Sequence, residues 1–446
     1  MPRFYIFLTT TQPIHYHMCE NVEGAVVSRN TIRNSNQRCL VIHGTDNVTV
    51  EYNVAFNTFG HCYMIEDGIE QDNVFNFNIG LKTKIIADDS LISVAESDQF
   101  ASTFWISNPN NKFFGNVAAG GEDTGFWYEF LSTIRGISQK KDPTYSINPS
   151  EFKFGFHRSH KIHSNGGDGF KLYPNGFFPD KRAVFEDMLS YRNTGDGVLF
   201  HNSKKLGIDG GVFANNRRQI EVDKQSDDVT VTNALLIGFS RLYQLEVEAG
   251  NRKSHCPAWR PLVGVQLHSF LRYRDSKGYK LENVTFEDFG TETGCVGSTA
   301  IEMDEQLRDG HFDAFSSFYN LKFPEGIPDS EKFNMCRLSQ EEMFIGDLVI
   351  YDATGDLNPN GSVNGTRTPG HVTANSEYIK AFAKNCTEME GSCALYCENT
   401  CYRAVDFAVW NTPDYDELYL QVTDLNDNAF LVPGYFETIY VNDDEI

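Results

Sequence analysis

The chain has 446 residues, 40% hydrophobic and 13% aromatic, with a formal charge of −23 from 61 acidic and 38 basic side chains. That balance excludes DNA and RNA as expected partners, because phosphate binding needs a basic face. No apolar run is long enough for a membrane-spanning helix, and Phe4 to Leu8 is too short for a signal-peptide core, so no export signal is expected in the chain itself.

In chain order, the first signal is a repeat. Asn30-Thr-Ile-Arg-Asn34 is followed 23 residues later by Asn53-Val-Ala-Phe-Asn57, and 23 later again by Asn76-Phe-Asn-Ile-Gly80. Cys39-Leu40 recurs in the same register as Cys62-Tyr63, and the register returns at Asn116 to Gly120, His160 to Ser164 and Met188 to Arg192. Between these landmarks apolar residues alternate with period two, as in Leu40-Val-Ile-His43 and Phe154-Gly-Phe-His157. Repeats of about 22–28 residues, built of short strands and polar corners, predict the coils of an all-β, right-handed parallel β-helix. The recurring asparagines then form a structural ladder whose amides bond between coils.

Segments near 82–110 and 131–150 interrupt the register and are expected to be loop insertions that wall a binding face. Beyond residue 315 the register is lost. Prolines, a Gly/Asn/Pro-rich stretch at 355–370 and a cysteine group predict a β-rich C-terminal module over 316–446, with strands at Asp347 to Tyr351, Arg403 to Val409 and Glu417 to Val422.

The repeat alignment predicts one face of the coils. The slots of Leu40, Tyr63, Phe126, Phe170 and Val198, and of Ile42, Ile65, Tyr128, Leu172 and Phe200, are uniformly apolar and must point inward. The alternating slots then point outward: one holds His17, His43, Glu66, Glu129, Tyr173 and His201, the other His15, Val41, Met64, Trp127, Lys171 and Leu199. Such a stripe suits an extended sugar polymer, since carboxylates and imidazoles bond hydroxyls and exchange protons, while Trp127 offers a ring face. Paired carboxylates are the usual equipment of glycoside hydrolysis. Glu66, Asp67 and Glu129 are the candidate acids, and His43 or His17 the candidate proton-transfer partners. His15, Met64, Trp127, Lys171, Tyr173 and His201 are the candidate substrate contacts. The competing reading of each residue is solvated surface, because outward faces of a β-helix are polar in any case. Arg33, Arg38, Lys82, Lys84, Lys161 and Lys171 are the side chains that would offset the negative charge locally for a polyanion.

Ten cysteines, four of them at Cys386, Cys393, Cys397 and Cys401, read as disulfides rather than a zinc knuckle, because the spacers are long and no histidine sits beside them. Together with sequons at Asn47, Asn283, Asn360, Asn364 and Asn385 they predict a secreted protein or cell-surface ectodomain, here a fragment or a late start. His15 and His17 share a face and offer two metal ligands as a minority reading, but with no obvious third ligand no metal site is expected, nor any cofactor. Calcium is a minor alternative at Asp356 to Gly361 and Asp424 to Asn428. Gly167-Asp-Gly169 and Gly195-Asp-Gly197 read as equivalent turns.

Several of these motifs carry a family likeness. Pro13-Ile-His-Tyr-His-Met-Cys19, Arg38-Cys-Leu-Val-Ile-His-Gly-Thr45, Asn53 to Tyr63, Glu66-Asp-Gly68, Thr103-Phe-Trp-Ile106 and Asn116 to Gly120 resemble the family of cell migration-inducing and hyaluronan-binding protein. Its relatives include transmembrane cell-surface hyaluronidase and fibrocystin-L. The likeness is dense over 12–175 and thinner as far as Cys401. It implies an extracellular β-helix that binds or depolymerises hyaluronan, a non-catalytic glycan-binding or adhesion ectodomain being the alternative.

Overall fold

The computed structural model describes residues 12–87, 99–141, 147–224, 226–250, 262–268, 277–289, 298–304, 316–336, 349–363, 366–375, 380, 385–398, 419–423 and 429–433. Many strands are only three residues long, because each coil must turn three times. Among the described residues, nine successive coils each give one strand to each of three sheets, and the next coil's strand pairs with it in parallel, which is a parallel β-helix.

The first sheet has eleven strands, in order Ile14–Asn21, Leu40–Asp46, Tyr63–Ile65, Phe104–Ile106, Phe126–Tyr128, Phe170–Leu172, Val198–His201, Arg218–Asp223, Val263–His268, Thr299–Asp304 and Phe333–Asn334. The second sheet starts at Val26–Ser28, and the third runs from Thr31–Arg33 to Thr285–Glu287.

Two residues make the corner between the second and third sheets in the first coils, a left-handed one and then an asparagine. Arg29, Tyr52 and Phe77 take left-handed backbone there, with φ of 58°, 54° and 53°, and Gly115 follows at 64°. A left-handed non-glycine residue costs about 1–2 kcal/mol. The asparagine that follows each left-handed residue helps to offset this cost. The side-chain amide of Asn30 donates to Asn53 at 3.0 Å, that of Asn53 to Asn78 at 3.0 Å, and that of Asn78 to Asn116 at 3.0 Å. The ladder therefore exists, with a shift in one coil. Asn76 lies in the second sheet opposite Glu51, and Asn78 is the ladder member. A second ladder links Asn165, Asn193 and Asn216.

Inside the coils, apolar residues stack on their own kind. The Tyr63, Phe104 and Phe126 rings lie at centroid separations of 4.8 Å and 4.3 Å, contacts worth about 0.5–1.5 kcal/mol each beyond burial. Cys39 and Cys62 occupy the same slot in adjacent coils and are disulfide-bonded.

Two boundaries differ from the sequence expectation. The insertion near 82–110 contains a strand of its own, Phe104–Ile106, which supplies a full rung of the first sheet. The parallel ladder also runs past 315: Ser316–Tyr319 pairs with Tyr279–Glu282 and with Val349–Asp352. Only then do Gly370–Ala374, Ala394–Glu398 and Cys386–Met389 extend the second sheet antiparallel, tied by Cys336–Cys393 and Cys386–Cys397. The chain divides into compact units at 1–401 and 402–446, the second containing the hairpin Tyr419–Thr423 with Ala429–Pro433. The expected strand at 403–409 lies outside the described residues. Among the described residues, no helix is long and apolar enough to cross a membrane.

Candidate functional site

The register of the first sheet fixes which side chains share a row. Leu40, Tyr63, Phe104, Phe126, Phe170 and Val198 are aligned partners, and all are buried in the core. One residue on, Val41, Met64, Trp105, Trp127, Lys171 and Leu199 align in the outer row. Trp105 is the member missing from the sequence reading, hidden because its strand lay within an assumed insertion. Outward here does not mean exposed. Val41, Met64, Trp105 and Trp127 form a second buried cluster, with Met64 at 2% and Trp127 at 5% exposure. Arg135 packs 4.3 Å over the Trp105 ring, His61 stacks on it, and Lys171 sits 4.0 Å over Trp127. Met64 and Trp127 thus offer no open surface for a ligand, because neighbouring side chains cover them.

The next outer row begins with a cluster of titratable groups. His17 and His43 are register partners, with Nδ1 atoms 3.2 Å apart. His43 Nε2 lies 2.8 Å from Asp67 Oδ2, and its Nδ1 lies 3.5 Å from Glu66 Oε2. Asp67 is fixed from the 131–150 insertion: Ser138 N donates to its carboxylate at 2.9 Å and Arg135 N to its carbonyl at 2.9 Å. Gly136, at φ +68°, lets the insertion come this close, since a Cβ there would fall 2.0 Å from Asp67 Oδ1. Fully buried Glu70 accepts from the backbone N–H groups of Gly44, Asp67 and Gly68 at 2.8, 3.0 and 2.8 Å, which holds the turn carrying Asp67.

These contacts set the protonation states. Burial raises the Asp67 carboxyl, but the hydrogen bonds from His43 and Ser138 outweigh it and hold the group below its ordinary value. Burial lowers His43, yet Asp67 and Glu66 pull it the other way and leave it raised. Burial and the neighbouring imidazoles push His15 down to about 4 and also lower His17. Burial lifts Glu70 to about 7 in spite of its backbone donors.

The remaining candidates spread along the same row. Strand pairing puts Ser107 between Glu66 and Glu129, so those acids are two rungs apart rather than adjacent. Each has its own arginine: Arg38 Nη1 lies 3.4 Å from Glu66, and Arg135 Nη1 lies 3.1 Å from Glu129. Arg135 Nε also donates to the Glu66 carbonyl at 3.2 Å, so one side chain bridges both rungs. Tyr173 is exposed and packs edge-on against His201, which is buried and lies 2.6 Å from Asp223. Arg33, Lys82, Lys84 and Lys161 are on third-sheet strands, so the structure does not gather them with Lys171 of the first sheet or with Arg38, which lies just before the first-sheet strand Leu40–Asp46. Asp356, at the possible calcium loop, is paired with Arg367, and the other possible loop at 424–428 lies outside the described residues.

Farther along the same rows lies a group the sequence reading missed. Asp196 receives Arg217 and both ends of the Arg218 guanidinium, the latter at 2.7 Å each, while Glu221 contacts Arg218 and lies 3.1 Å from His268. Burial raises both acids, but the arginines outweigh it at Asp196 and hold it ionised. Glu221 is pushed up to about 11 by burial and by the Asp196 charge. In sequence Asp196 reads as a turn residue, because its partners lie 21 and 22 positions away.

The histidine–aspartate cluster and its supporting coils fall in the stretch that comparison with known proteins singles out. Residues 7–170 match the family described as CEMIP beta-helix. This stretch belongs to the CEMIP β-helix family. Individual relatives extend the likeness. A G8 domain-containing protein of Dictyostelium discoideum is 36% identical over 428 residues, covering 87% of this chain and 27% of that protein. Cell surface hyaluronidase CEMIP2 of Homo sapiens is 33% identical over 195 residues, 38% of this chain and 13% of its own length. Communication mutant protein F of Dictyostelium discoideum is 33% identical over 208 residues, 44% and 18%. The chain thus spans less than a third of the length of these relatives. Within the CEMIP β-helix stretch lie His15, His17, His43, Glu66, Asp67 and Glu129, whereas Lys171, Tyr173, His201 and the Asp196 group lie beyond it.

Proposed function

We propose that this chain is an extracellular, carbohydrate-active β-helix that binds a hyaluronan-type polysaccharide along the outer face of its first sheet and depolymerises it. The observation that carries the reading is the linked set of His17, His43, Asp67 and Glu66, in which a buried carboxylate orients an imidazole beside a second acid. Such an arrangement moves protons to and from a sugar oxygen. Relatives named as cell surface hyaluronidases, from Homo sapiens and Danio rerio, support the choice of polymer. Arg135, paired with Glu129 but with its side chain 29% exposed, is the arginine a polyanion reaches on this face, whereas Arg38 is buried against Glu66. Glu66 and Glu129 stand two rungs apart, about 9.6 Å between backbones. In this reading exposed Tyr173, with His15 and Lys171, supplies contacts to the polymer.

One observation favours a second reading, binding without cleavage: both acids are tied to arginines. Incubating the chain with sized hyaluronan separates the two. Shortened chains that disappear with Glu66→Gln or Glu129→Gln support depolymerisation. Polymer retained at constant length supports binding alone, and neither retention nor shortening sinks both.

A further inference from the structure

We infer that His15, His17 and His43 form a binding site for a zinc-type divalent ion. The three histidines each present a ring nitrogen, and these atoms lie within 4.8 Å of one another. Zinc–nitrogen bonds of about 2.0–2.1 Å place tetrahedral ligand atoms roughly 3.3 Å apart. The His17 and His43 Nδ1 atoms already stand at 3.2 Å. His15, whose ring lies 4.9 Å from that of His17 and 5.9 Å from that of His43, closes the remaining gap by rotating on the outer side of its strand.

Two independent features support the assignment. His43 turns its other nitrogen to Asp67 Oδ2 at 2.8 Å, and Asp67 is itself held by Ser138. A carboxylate behind a histidine fixes the tautomer and ring orientation that a metal ligand needs. Glu66 Oε2 is buried and has no hydrogen-bond partner, while its other oxygen faces Arg38. That orphan oxygen lies 3.5 Å from His43 Nδ1, a ligand-to-ligand spacing, and so occupies the place of a fourth donor. Imidazole nitrogens with one carboxylate suit zinc better than calcium or magnesium, which prefer oxygen cages. The sequence showed two of the ligands as neighbours on one strand, and the third arrives only when the next coil stacks.

The inference does not rest on the polysaccharide reading, because an ion binds here whether or not polymer is cut. Untagged protein, stripped with chelator and dialysed against limiting zinc, is expected to retain one zinc per chain by elemental analysis. Cobalt(II) in its place should give the intense visible bands of a four-coordinate site. His17→Ala or His15→Ala, each checked for an unchanged far-ultraviolet spectrum, should weaken zinc binding at least tenfold, whereas His163→Ala on the third sheet should not. Retention well below one zinc per wild-type chain overturns the inference. So does a folded His17→Ala or His15→Ala that binds zinc like the wild type, or an equal loss in His163→Ala.

Discussion

His43 and Asp67 meet at 2.8 Å through Nε2 and Oδ2, with both side chains almost wholly shielded from water. The pair has a pH signature. His43 is raised in the folded state, so its share of the stability is present below the unfolded histidine value near 6.5 and is lost as pH rises through its folded value. Asp67 is lowered, so its share is present above the unfolded value near 3.9 and is lost as pH falls through its folded value. Both shares are present together between about pH 4 and 6.5. Asp67→Asn should therefore destabilise the protein by about 1–3 kcal/mol at pH 5, and by less at pH 8. Urea midpoints of the two proteins, both stripped with chelator so that His43 titrates free of metal, measure this at both pH values, and a difference independent of pH would contradict it.

His160 predicts the opposite behaviour. It occupies the asparagine slot of the ladder: Asn116 N donates to its Nδ1 at 3.0 Å, and its Nε2 lies 3.1 Å from the Phe113 carbonyl. Asn116 makes the same two bonds one coil earlier, to Asn78 N at 2.9 Å and to the Phe75 carbonyl at 2.7 Å. Burial pushes His160 down to about 3, so between pH 6.5 and 3 the unfolded chain takes up a proton that the folded chain refuses. Stability then falls by up to about 1.4 kcal/mol for each unit of acidification. His160→Asn keeps the bonds and should make this fall shallower, leaving the share of neighbouring buried His157, which is pushed down in the same way. Melting temperatures from pH 7.5 to 4 check it; equal slopes for both proteins would refute the prediction.

Trp127 behaves as core in spite of its outward slot. Its indole N–H donates to the Tyr173 carbonyl at 2.7 Å, and the ring is covered by Lys171. Trp127→Ala should cost about 3–5 kcal/mol, as for other buried aromatic truncations. A loss below about 1 kcal/mol by chemical denaturation would mean that the ring is surface after all.

The Cys39–Cys62 bond closes a separation of 23 residues. Restricting the unfolded chain over that length is worth about 3 kcal/mol. The Cys39→Ser, Cys62→Ser double variant should melt lower than the wild type under non-reducing conditions. Identical melting would show that coil stacking alone holds this pair of rungs.

Much of the β-helix was legible because its coils repeat the same chemistry at one spacing, and Leu40, Tyr63, Phe126 and Phe170 keep their slot through insertions of different length. The rung at Phe104–Ile106 was not, since the longer path before it breaks the spacing by which a repeat is recognised. Within the site, the His17–His43 contact follows from register alone. Covering of Trp105 does not, because Arg135 comes from an insertion with no repeat of its own. The Asp196–Arg218 network was illegible for a related reason: its acid sits in a turn that glycine already explained, and its partners belong to the following coil.

The first sheet joins eleven rungs without interruption. Ten spacings of about 4.8 Å make it a ruler some 48 Å long. If a polymer lies along the rungs, its affinity should climb with chain length only until that distance is filled, and every longer chain then projects past the end of the scale.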